Sequence, residues 1–346
     1  MQPRFVFKRL IDLHSIMRFQ KAIFFAILLF CSFSTVFAQG DDEVIKVDSS
    51  IVRLNVGVAD RQGRPITSLN RENFTLYEDG VKQDISRFEP TVAPFSVVML
   101  LDMSGSTLGF REVIRQSASR FIDALAPDDR VAVVEFYDKI NLRNDFTKDR
   151  RTIINSINVA NGRGKTQLYK ALDFALAKLA KEGKRRKAII VLTDGVDSTV
   201  RDVDRDFLGK FKESEIPTAL KPENSNELNR VLNSADAQGV TVYPLALPTG
   251  DPYKLADPTP MQVALFSAAR TRLQVLADRT GGTFNAINRL EEMGKLYAGV
   301  AADLRALYTV EYQPTNIKRD GKWREIKIEV TNPELISKTR QGYFAK

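Results

Sequence analysis

Histidine and cysteine are almost absent from this sequence, because its 346 residues contain only His14 and Cys31. Both lie near the N-terminus, in a segment that we expect to be removed. The remaining chain has neither residue. This excludes a Ser-His-Asp triad, a Cys-His pair, a Cys/His zinc site and a disulfide framework. Any chemistry must therefore use hydroxyls, carboxylates, amines or the backbone.

An excess of charge is also lacking. The chain has 51 Lys and Arg against 43 Asp and Glu, with 43% apolar and 27% charged residues, which is typical of a globular protein. Removing residues 1–38 takes away five basic residues and one acid and leaves a net charge of +4. No basic run with interleaved aromatic residues occurs. We therefore expect no nucleic-acid partner.

The N-terminal segment has the pattern of a secretory signal peptide. Residues 17–21 are a basic start, residues 22–31 are apolar, and residues 36–38 (Val-Phe-Ala) place small side chains at the −3 and −1 positions. We predict a signal peptide over 1–38, cleavage after Ala38 and a periplasmic or secreted protein. Translation can start at Met1 or Met17. The apolar stretch is short for a span of about 20 residues, so we expect no stable membrane span after cleavage.

Both ends of the mature chain have strand patterns with alternating polarity. Examples are residues 52–58 and 74–77 near the N-terminus and residues 326–330 near the C-terminus. We predict an N-terminal β segment (39–92) that pairs with a C-terminal one (305–346) in a small β-sandwich. Separate β extensions are the alternative, but a lone hairpin is marginally stable in water.

The middle of the chain, residues 93–304, has a different pattern. Continuous apolar runs, typical of strands buried on both faces, occupy 96–101, 131–134, 188–192 and 240–245. Helical patterns lie between and after them, at 110–125, 166–181, 227–238 and 261–278. This alternation predicts an α/β domain with a doubly wound, mostly parallel sheet. The polar stretch 201–226 is expected to be an irregular insertion.

Oxygen-bearing side chains follow the predicted strands. The first run ends in Asp102-x-Ser104-x-Ser106, the third in Thr193-Asp194-Gly195, and Thr166 precedes a helix between them. Each motif alone is more typical of a helix cap. Ligands of open α/β sheets bind beyond the carboxyl ends of the strands. Hydroxyls and carboxylates gathered there suit a hard cation such as Mg²⁺ or Ca²⁺.

The set Asp102, Ser104, Ser106, Thr166 and Asp194 resembles the metal-ion-dependent adhesion site of the von Willebrand factor type A domain. The resemblance covers roughly residues 93–304, and the flanking segments resemble those of exported bacterial proteins related to that factor. It implies a Rossmann-like fold and Mg²⁺, or Mn²⁺ or Ca²⁺, held by these five residues directly or through water. Arg163 and Lys165 replace the small residues common beside Thr166. We expect these two cations to favour an anionic partner.

The favoured function is a metal-dependent protein-binding or adhesion module, without catalysis, whose partner presents Asp or Glu to the cation. A metal-assisted hydrolase is the first alternative, with Asp197 as the only extra acid in the Asp194 loop. A structural envelope component with a purely stabilising metal is the second. A nucleotide site is not expected at residues 164–166, because a P-loop needs glycine where Val159 stands.

Overall fold

The computed structural model describes residues 51–62, 64–89, 94–183, 185–254, 256–287, 289 and 293–345, and all lie within one compact unit of the chain, Ser49–Lys346. The predicted signal peptide, its cleavage site after Ala38 and the start of the mature chain lie outside the described residues. Within the described ranges, no helix combines the length and the apolar character needed to cross a bilayer.

The strands are, in chain order, β1 (Val52–Asp60), β2 (Phe74–Glu78), β3 (Val81–Gln83), β4 (Ile85–Glu89), β5 (Phe95–Asp102), β6 (Arg130–Phe136), β7 (Ile140–Thr147), β8 (Arg186–Thr193), β9 (Val240–Ala246), β10 (Asn285–Ala286), β11 (Leu307–Tyr312), β12 (Trp323–Val330), β13 (Leu335–Lys338) and β14 (Gly342–Phe344). The α-helices are α1 (Arg111–Ala124), α2 (Arg150–Val159), α3 (Leu168–Ala180), α4 (Ser198–Leu208), α5 (Ile216–Ala219), α6 (Asn226–Gln238), α7 (Pro260–Thr280) and α8 (Met293–Ala306). Short 3-10 helices include Gly105–Phe110 and Pro248–Gly250.

The central sheet has six strands in the order β10-β9-β8-β5-β6-β7. All its pairs are parallel except β6 with β7. Every residue of β5, β8 and β9 is buried, because helices cover both faces. One apolar layer includes side chains of α1, α2 and α8, and the other includes side chains of α3, α6 and α7. The predicted doubly wound, mostly parallel α/β domain is confirmed.

The two ends of the chain form two antiparallel sheets of four strands each. Their strand orders are β13-β1-β11-β4 and β14-β12-β2-β3. Strand β11 lies beside β1, with Val52 opposite Tyr312, and β12 lies beside β2, with Ile328 opposite Leu76. Their inward side chains share one apolar core. The predicted sandwich of N-terminal and C-terminal strands is therefore confirmed, whereas the proposed domain boundaries at 92/93 and 304/305 stay predictions.

The prediction of an irregular insertion over 201–226 is wrong for its first part. Helix α4 runs to Leu208. Asp197 caps it, since its carboxylate accepts hydrogen bonds from the N–H groups of Thr199 and Val200. Val200 and Leu208 bury one face. The polar composition of the stretch conceals a helical signal, because Val200, Val203, Phe207 and Leu208 follow the i, i+3, i+7, i+8 spacing of an amphipathic helix.

Candidate metal centre

The candidate site lies where the order of the central sheet reverses. From β5 the chain continues to β6 on one side, whereas β8 lies on the other side and continues to β9. Strands β5 and β8 are parallel neighbours, with Leu101 opposite Leu192. Their carboxyl ends therefore bring Asp102 and Asp194 to the same edge. Such a switch point is the usual ligand crevice of an open α/β sheet.

The first loop wraps around the Asp102 carboxylate, which is fully buried. Its Oδ1 accepts a hydrogen bond from the Ser104 N–H at 3.0 Å, and its Oδ2 accepts one from the Thr193 hydroxyl at 2.7 Å. The hydroxyls of Ser104 and Ser106 are 3.2 Å apart and share a hydrogen bond. The loop after β5 thus places one carboxylate and two hydroxyls together. Thr193 is a contributor that the sequence motif did not include.

A cavity of about 280 Å³ adjoins this loop. Ser106, Thr166 and Asp194 are three of its lining residues, while Asp102 and Ser104 lie buried behind it. Ser106 also forms a side-chain hydrogen bond with Asp194. The structure therefore brings all five predicted ligands to one place, three at the cavity surface and two beneath it.

Backbone contacts hold the Thr166 loop in position. The Thr166 N–H donates to the Ser198 hydroxyl at 3.0 Å, and the Ser198 N–H donates to the Thr166 carbonyl at 2.9 Å. The Gly105 N–H donates to the Gly164 carbonyl at 3.0 Å, which joins this loop to the first. Position 164 has φ +99°, a left-handed conformation that favours glycine. Three separate segments of the chain are thereby fixed around one cavity.

The electrostatics of the two carboxylates fit a cation. Burial, and then the charge of Asp194, raise the pKa of Asp102. Burial also raises the pKa of Asp194, although hydrogen bonds from Ser106 and the Val196 N–H partly oppose this. Two buried like charges disfavour ionisation unless an opposite charge is close. Two carboxylates and three hydroxyls are hard oxygen donors of the kind that Mg²⁺, Mn²⁺ and Ca²⁺ prefer.

This donor set differs from sites built from acidic, His and Cys side chains alone. No group of three or more His, Cys, Asp or Glu that could hold a metal occurs in the part of the chain that the structure describes. The predicted site relies instead on serine and threonine hydroxyls for more than half of its donors. Such a set fits a hard cation and offers no ligand that would favour a soft metal.

The roles of Lys165 and Arg163 in partner binding stay predictions. Lys165 lines the cavity, whereas Arg163 is not among the lining residues. Arg201 lines it instead, and its charge lowers the pKa of Asp194. The sequence contained a signal for Arg201, because it follows the helix cap Asp197 by four residues and so lies one turn into α4.

The loop after β9 completes the cavity wall. Thr249 of this loop and Phe266 of α7 line the cavity, and the Leu247 N–H donates to the Thr193 carbonyl at 2.8 Å. A Cβ atom at Gly250 would lie 1.9 Å from the backbone oxygen of Asp194. Only glycine permits this close approach, so position 250 sets how near the loop can lie to the second carboxylate.

Asp197, the extra acid considered as a base for hydrolysis, is occupied. Its carboxylate caps α4 and accepts a further hydrogen bond from the Tyr169 N–H at 3.3 Å. The P-loop interpretation also lacks its context, because helix α2 precedes residues 164–166 where a strand would be needed. Neither Asp197 nor a P-loop at residues 164–166 therefore supplies a catalytic group to the cavity.

The von Willebrand factor type A domain is the family whose model matches this chain, over residues 97–196. Similar solved structures include the von Willebrand factor domain of the type V pili tip protein Mfa5 from Porphyromonas gingivalis, at 17% identity and a TM-score of 0.45, covering 60% of this chain and 94% of that one. A von Willebrand factor type A protein from Catenulispora acidiphila has 12% identity and a TM-score of 0.47, covering 87% and 64%. Proximal thread matrix protein 1 from the mussel byssus, with a zinc-occupied adhesion-site motif, has 14% identity and a TM-score of 0.41, covering 64% and 48%.

No curated protein matches the sequence significantly. At 17% identity or less and TM-scores below 0.5, the three solved structures do not tell what this chain binds. The zinc ion belongs to the mussel protein.

Proposed function

This chain contains a von Willebrand factor type A domain, and from that premise we propose that it is a metal-dependent protein-binding module without catalysis. The observation that supports this most is the cavity shared by Ser106, Thr166 and Asp194. Ser106 is exposed to solvent, whereas Asp102 is fully buried. A protein partner can therefore reach the cavity surface, while the deeper ligands stay protected from solvent.

We propose that Asp102, Ser104, Ser106, Thr166 and Asp194 hold Mg²⁺, or Mn²⁺ or Ca²⁺ in its place. When bound, the cation supplies a positive centre for an Asp or Glu carboxylate of the partner. The two buried carboxylates of the chain balance the charge of the ion, and the hydroxyls occupy further positions around it. Mg²⁺ usually keeps some of its water in proteins, so a partner carboxylate has a position to take.

Lys165 and Arg201 line the cavity, and because Arg201 also pairs with Asp202 at 3.1 Å, Lys165 contributes most of the positive field at the rim. This field favours an anionic group as it approaches, and salt weakens it over about 10 Å at 0.1 M ionic strength. Arg163 does not line the cavity, and its expected role towards an anionic partner stays a prediction. The rim and the metal then select the same kind of partner, a protein surface with exposed acid residues.

We also propose that the mature protein is exported and begins at Gln39, on the evidence of the signal-peptide pattern over residues 1–38. N-terminal sequencing of protein recovered from the periplasm or the medium should give Gln39. Recovery of residues 17–38 on protein from a membrane pellet would contradict export by cleavage.

The central experiment compares partner capture from an envelope fraction in Mg²⁺ and in EDTA. We expect capture in Mg²⁺ only, and none by Asp102→Ala in either buffer. Lys165→Ala should weaken capture, with a loss that shrinks at high salt, whereas the exposed Lys82→Ala in the sandwich should have no effect. Equal partner affinity in EDTA and Mg²⁺, measured by calorimetry, would overturn the proposal. Mg²⁺ binding that stabilises the fold without changing partner affinity would favour the structural alternative.

A further inference from the structure

Arg111, the first residue of helix α1, contacts two of the loops that form the candidate metal centre. We call residues 102–106 the Asp102 loop and residues 160–166 the Thr166 loop. One terminal nitrogen of Arg111, Nη2, donates to the Met103 carbonyl in the Asp102 loop at 3.0 Å. The same nitrogen donates to the Gly162 carbonyl in the Thr166 loop. A single guanidinium group therefore bridges the two loops.

The beginning of the Thr166 loop is held between the central sheet and helix α1. The second terminal nitrogen of Arg111 donates to the side-chain oxygen of Asn161. The Asn161 N–H donates to Oε2 of Glu135 at 2.8 Å, and Glu135 is fully buried near the end of β6. A Cβ atom at Gly162 would lie 2.3 Å from the ring of Tyr137, so the loop backbone lies directly against that ring. The sheet therefore supports the loop on one side, and Arg111 holds it towards α1 on the other.

The other hydrogen bonds of the Thr166 loop have a different effect from the bridge. Ser198 binds Thr166 through two hydrogen bonds, which set the position of Thr166 relative to the start of α4. The bond from the Gly105 N–H to the Gly164 carbonyl, at 3.0 Å, is one link to the Asp102 loop. The bridge through Arg111 is a second link. It therefore contributes to the separation between Thr166 and the two serine ligands.

The charge of Arg111 favours neither the helix nor a bound cation. Arg111 lies at the N-terminal end of α1, where the helix dipole disfavours a positive charge. Burial, and then the charges of Arg115 and Arg163, lower the pKa of Arg111, whereas the charge of Asp102 raises it. A positive charge that acts on Asp102 also repels a divalent cation bound there. The favourable contribution of Arg111 to the site therefore comes from its hydrogen bonds to the two loops.

We propose that Arg111 is a positioning residue that holds the two loops at a separation suited to Mg²⁺, and that it thereby favours Mg²⁺ over Ca²⁺. This inference rests on the proposed metal site. Mg²⁺ requires near-octahedral oxygens at about 2.0–2.1 Å, whereas Ca²⁺ accepts a more flexible set at about 2.3–2.6 Å. Loops that are free to move apart should therefore lose more affinity for Mg²⁺ than for Ca²⁺. A change of charge alone should alter the affinity for both divalent cations alike.

The test measures the affinity of the full chain for Mg²⁺ and for Ca²⁺ separately, by calorimetry. Arg111→Met keeps a long side chain but removes every donor of the bridge. Arg115→Met is the matched control, because Arg115 lies one turn further along α1 and donates to the Ala160 carbonyl at 2.8 Å. In the described part of the chain, the hydrogen bonds of the Arg115 side chain reach the Thr166 loop but not the Asp102 loop.

A second variant tests the bridge without changing the charge. Asn161→Ala removes one acceptor of Arg111 at an exposed position, where the substitution should leave the fold intact. Urea unfolding in EDTA, followed by far-UV circular dichroism, checks the fold of every variant.

We expect Arg111→Met to lower the Mg²⁺ affinity about tenfold, as is typical for residues that orient metal ligands, and to lower the Ca²⁺ affinity by a smaller factor. Asn161→Ala should shift the ratio of the two affinities in the same direction, and Arg115→Met should leave the ratio unchanged.

An unchanged ratio in Arg111→Met, including an equal rise or an equal fall of both affinities, overturns the role of Arg111 and leaves the metal site standing. An equal shift of the ratio in Arg115→Met does the same, because the bridge would then not be its cause. If Arg111→Met does not fold, the ratio in Asn161→Ala decides. Absence of Mg²⁺ binding to the unmodified chain overturns both the positioning role and the proposed function.

Discussion

Replacing Asp102 by Asn should stabilise the metal-free protein at neutral pH, although it removes a proposed metal ligand. Burial, and then the charge of Asp194, raise the pKa of Asp102 to about 7 in the folded chain. In the unfolded chain the pKa is about 3.9. The folded state therefore keeps a proton that the unfolded state releases. The asparagine side chain is always neutral and retains an oxygen that can accept the Ser104 N–H.

The sign and size of the effect follow from this difference in pKa. The stability linked to protonated Asp102 is fully present below about pH 4 and is lost as the pH rises towards about 7. About three units at about 1.4 kcal/mol each give a loss of about 4 kcal/mol in the free energy of unfolding. Asp102→Asn does not suffer this loss. The free energy of unfolding of Asp102→Asn should therefore exceed that of the unmodified chain by an amount that grows with pH. The difference should be near zero at low pH and about 4 kcal/mol at about pH 7.

The assay is urea unfolding in EDTA at several pH values between about 4 and 7, followed by far-UV circular dichroism. Fluorescence of Trp323, the only tryptophan in the sequence, reports the sandwich in the same samples. Asp84→Asn, at an exposed position, is the control. Its free energy of unfolding should change with pH as that of the unmodified chain does. Adding Mg²⁺ should raise the free energy of unfolding of the unmodified chain at neutral pH and leave that of Asp102→Asn unchanged, because the cation binds the carboxylate form.

Parallel stability curves for the unmodified chain and Asp102→Asn in EDTA would refute the reasoning. They would mean that neither burial nor the charge of Asp194 raises the pKa of Asp102 in the folded protein. A Mg²⁺ effect of equal size in both proteins would instead show that the cation binds elsewhere.

Two further predictions concern residues outside the motif. Gly250→Ala should lower Mg²⁺ affinity at least tenfold in calorimetry, because its Cβ would meet the Asp194 carbonyl oxygen at 1.9 Å. Gly109→Ala, with no atom within 4 Å of the new Cβ, should not, and equal affinities would contradict the role of position 250. Arg272→Ala should cost about 3–5 kcal/mol in urea unfolding, since it leaves the buried Asp204 without its charged partner. A loss below about 1 kcal/mol would show that solvent reaches that carboxylate.

The fold class could be predicted because it depends on local patterns. Continuous apolar runs such as 188–192 can be buried only between two layers, and alternating runs such as 52–58 suit a sheet with one covered face. The candidate ligands could be named for a similar reason. Asp102, Ser104 and Ser106 are so close in sequence that any turn after β5 keeps them together.

Other features could not be predicted, because they depend on which segments meet. Helix α4 is stabilised by its cap and by Arg272, 68 residues further along the chain than Asp204, and the second of these contacts is set by the tertiary structure. Strand β7 pairs with β6 in the antiparallel direction at the edge of the sheet. Its own sequence does not indicate whether this pairing is parallel or antiparallel. The absence of Arg163 from the cavity wall depends on the course of the loop before Thr166, and the presence of Arg201 depends on the direction of helix α4.

The sequence by itself determined the layers of this protein and the chemistry of one edge of its sheet. The order of apolar and polar residues predicts which strands are buried, and the residue types at the strand ends predict the kind of ligand. Both depend only on residues that are close together in the sequence. Only the tertiary structure decided that Asp102 and Asp194 lie side by side, that Gly250 lets a fourth loop lie against them, and that α4 presents Arg201 to the cavity. These are contacts between residues far apart in sequence, and their geometry is set by the packing of the whole domain.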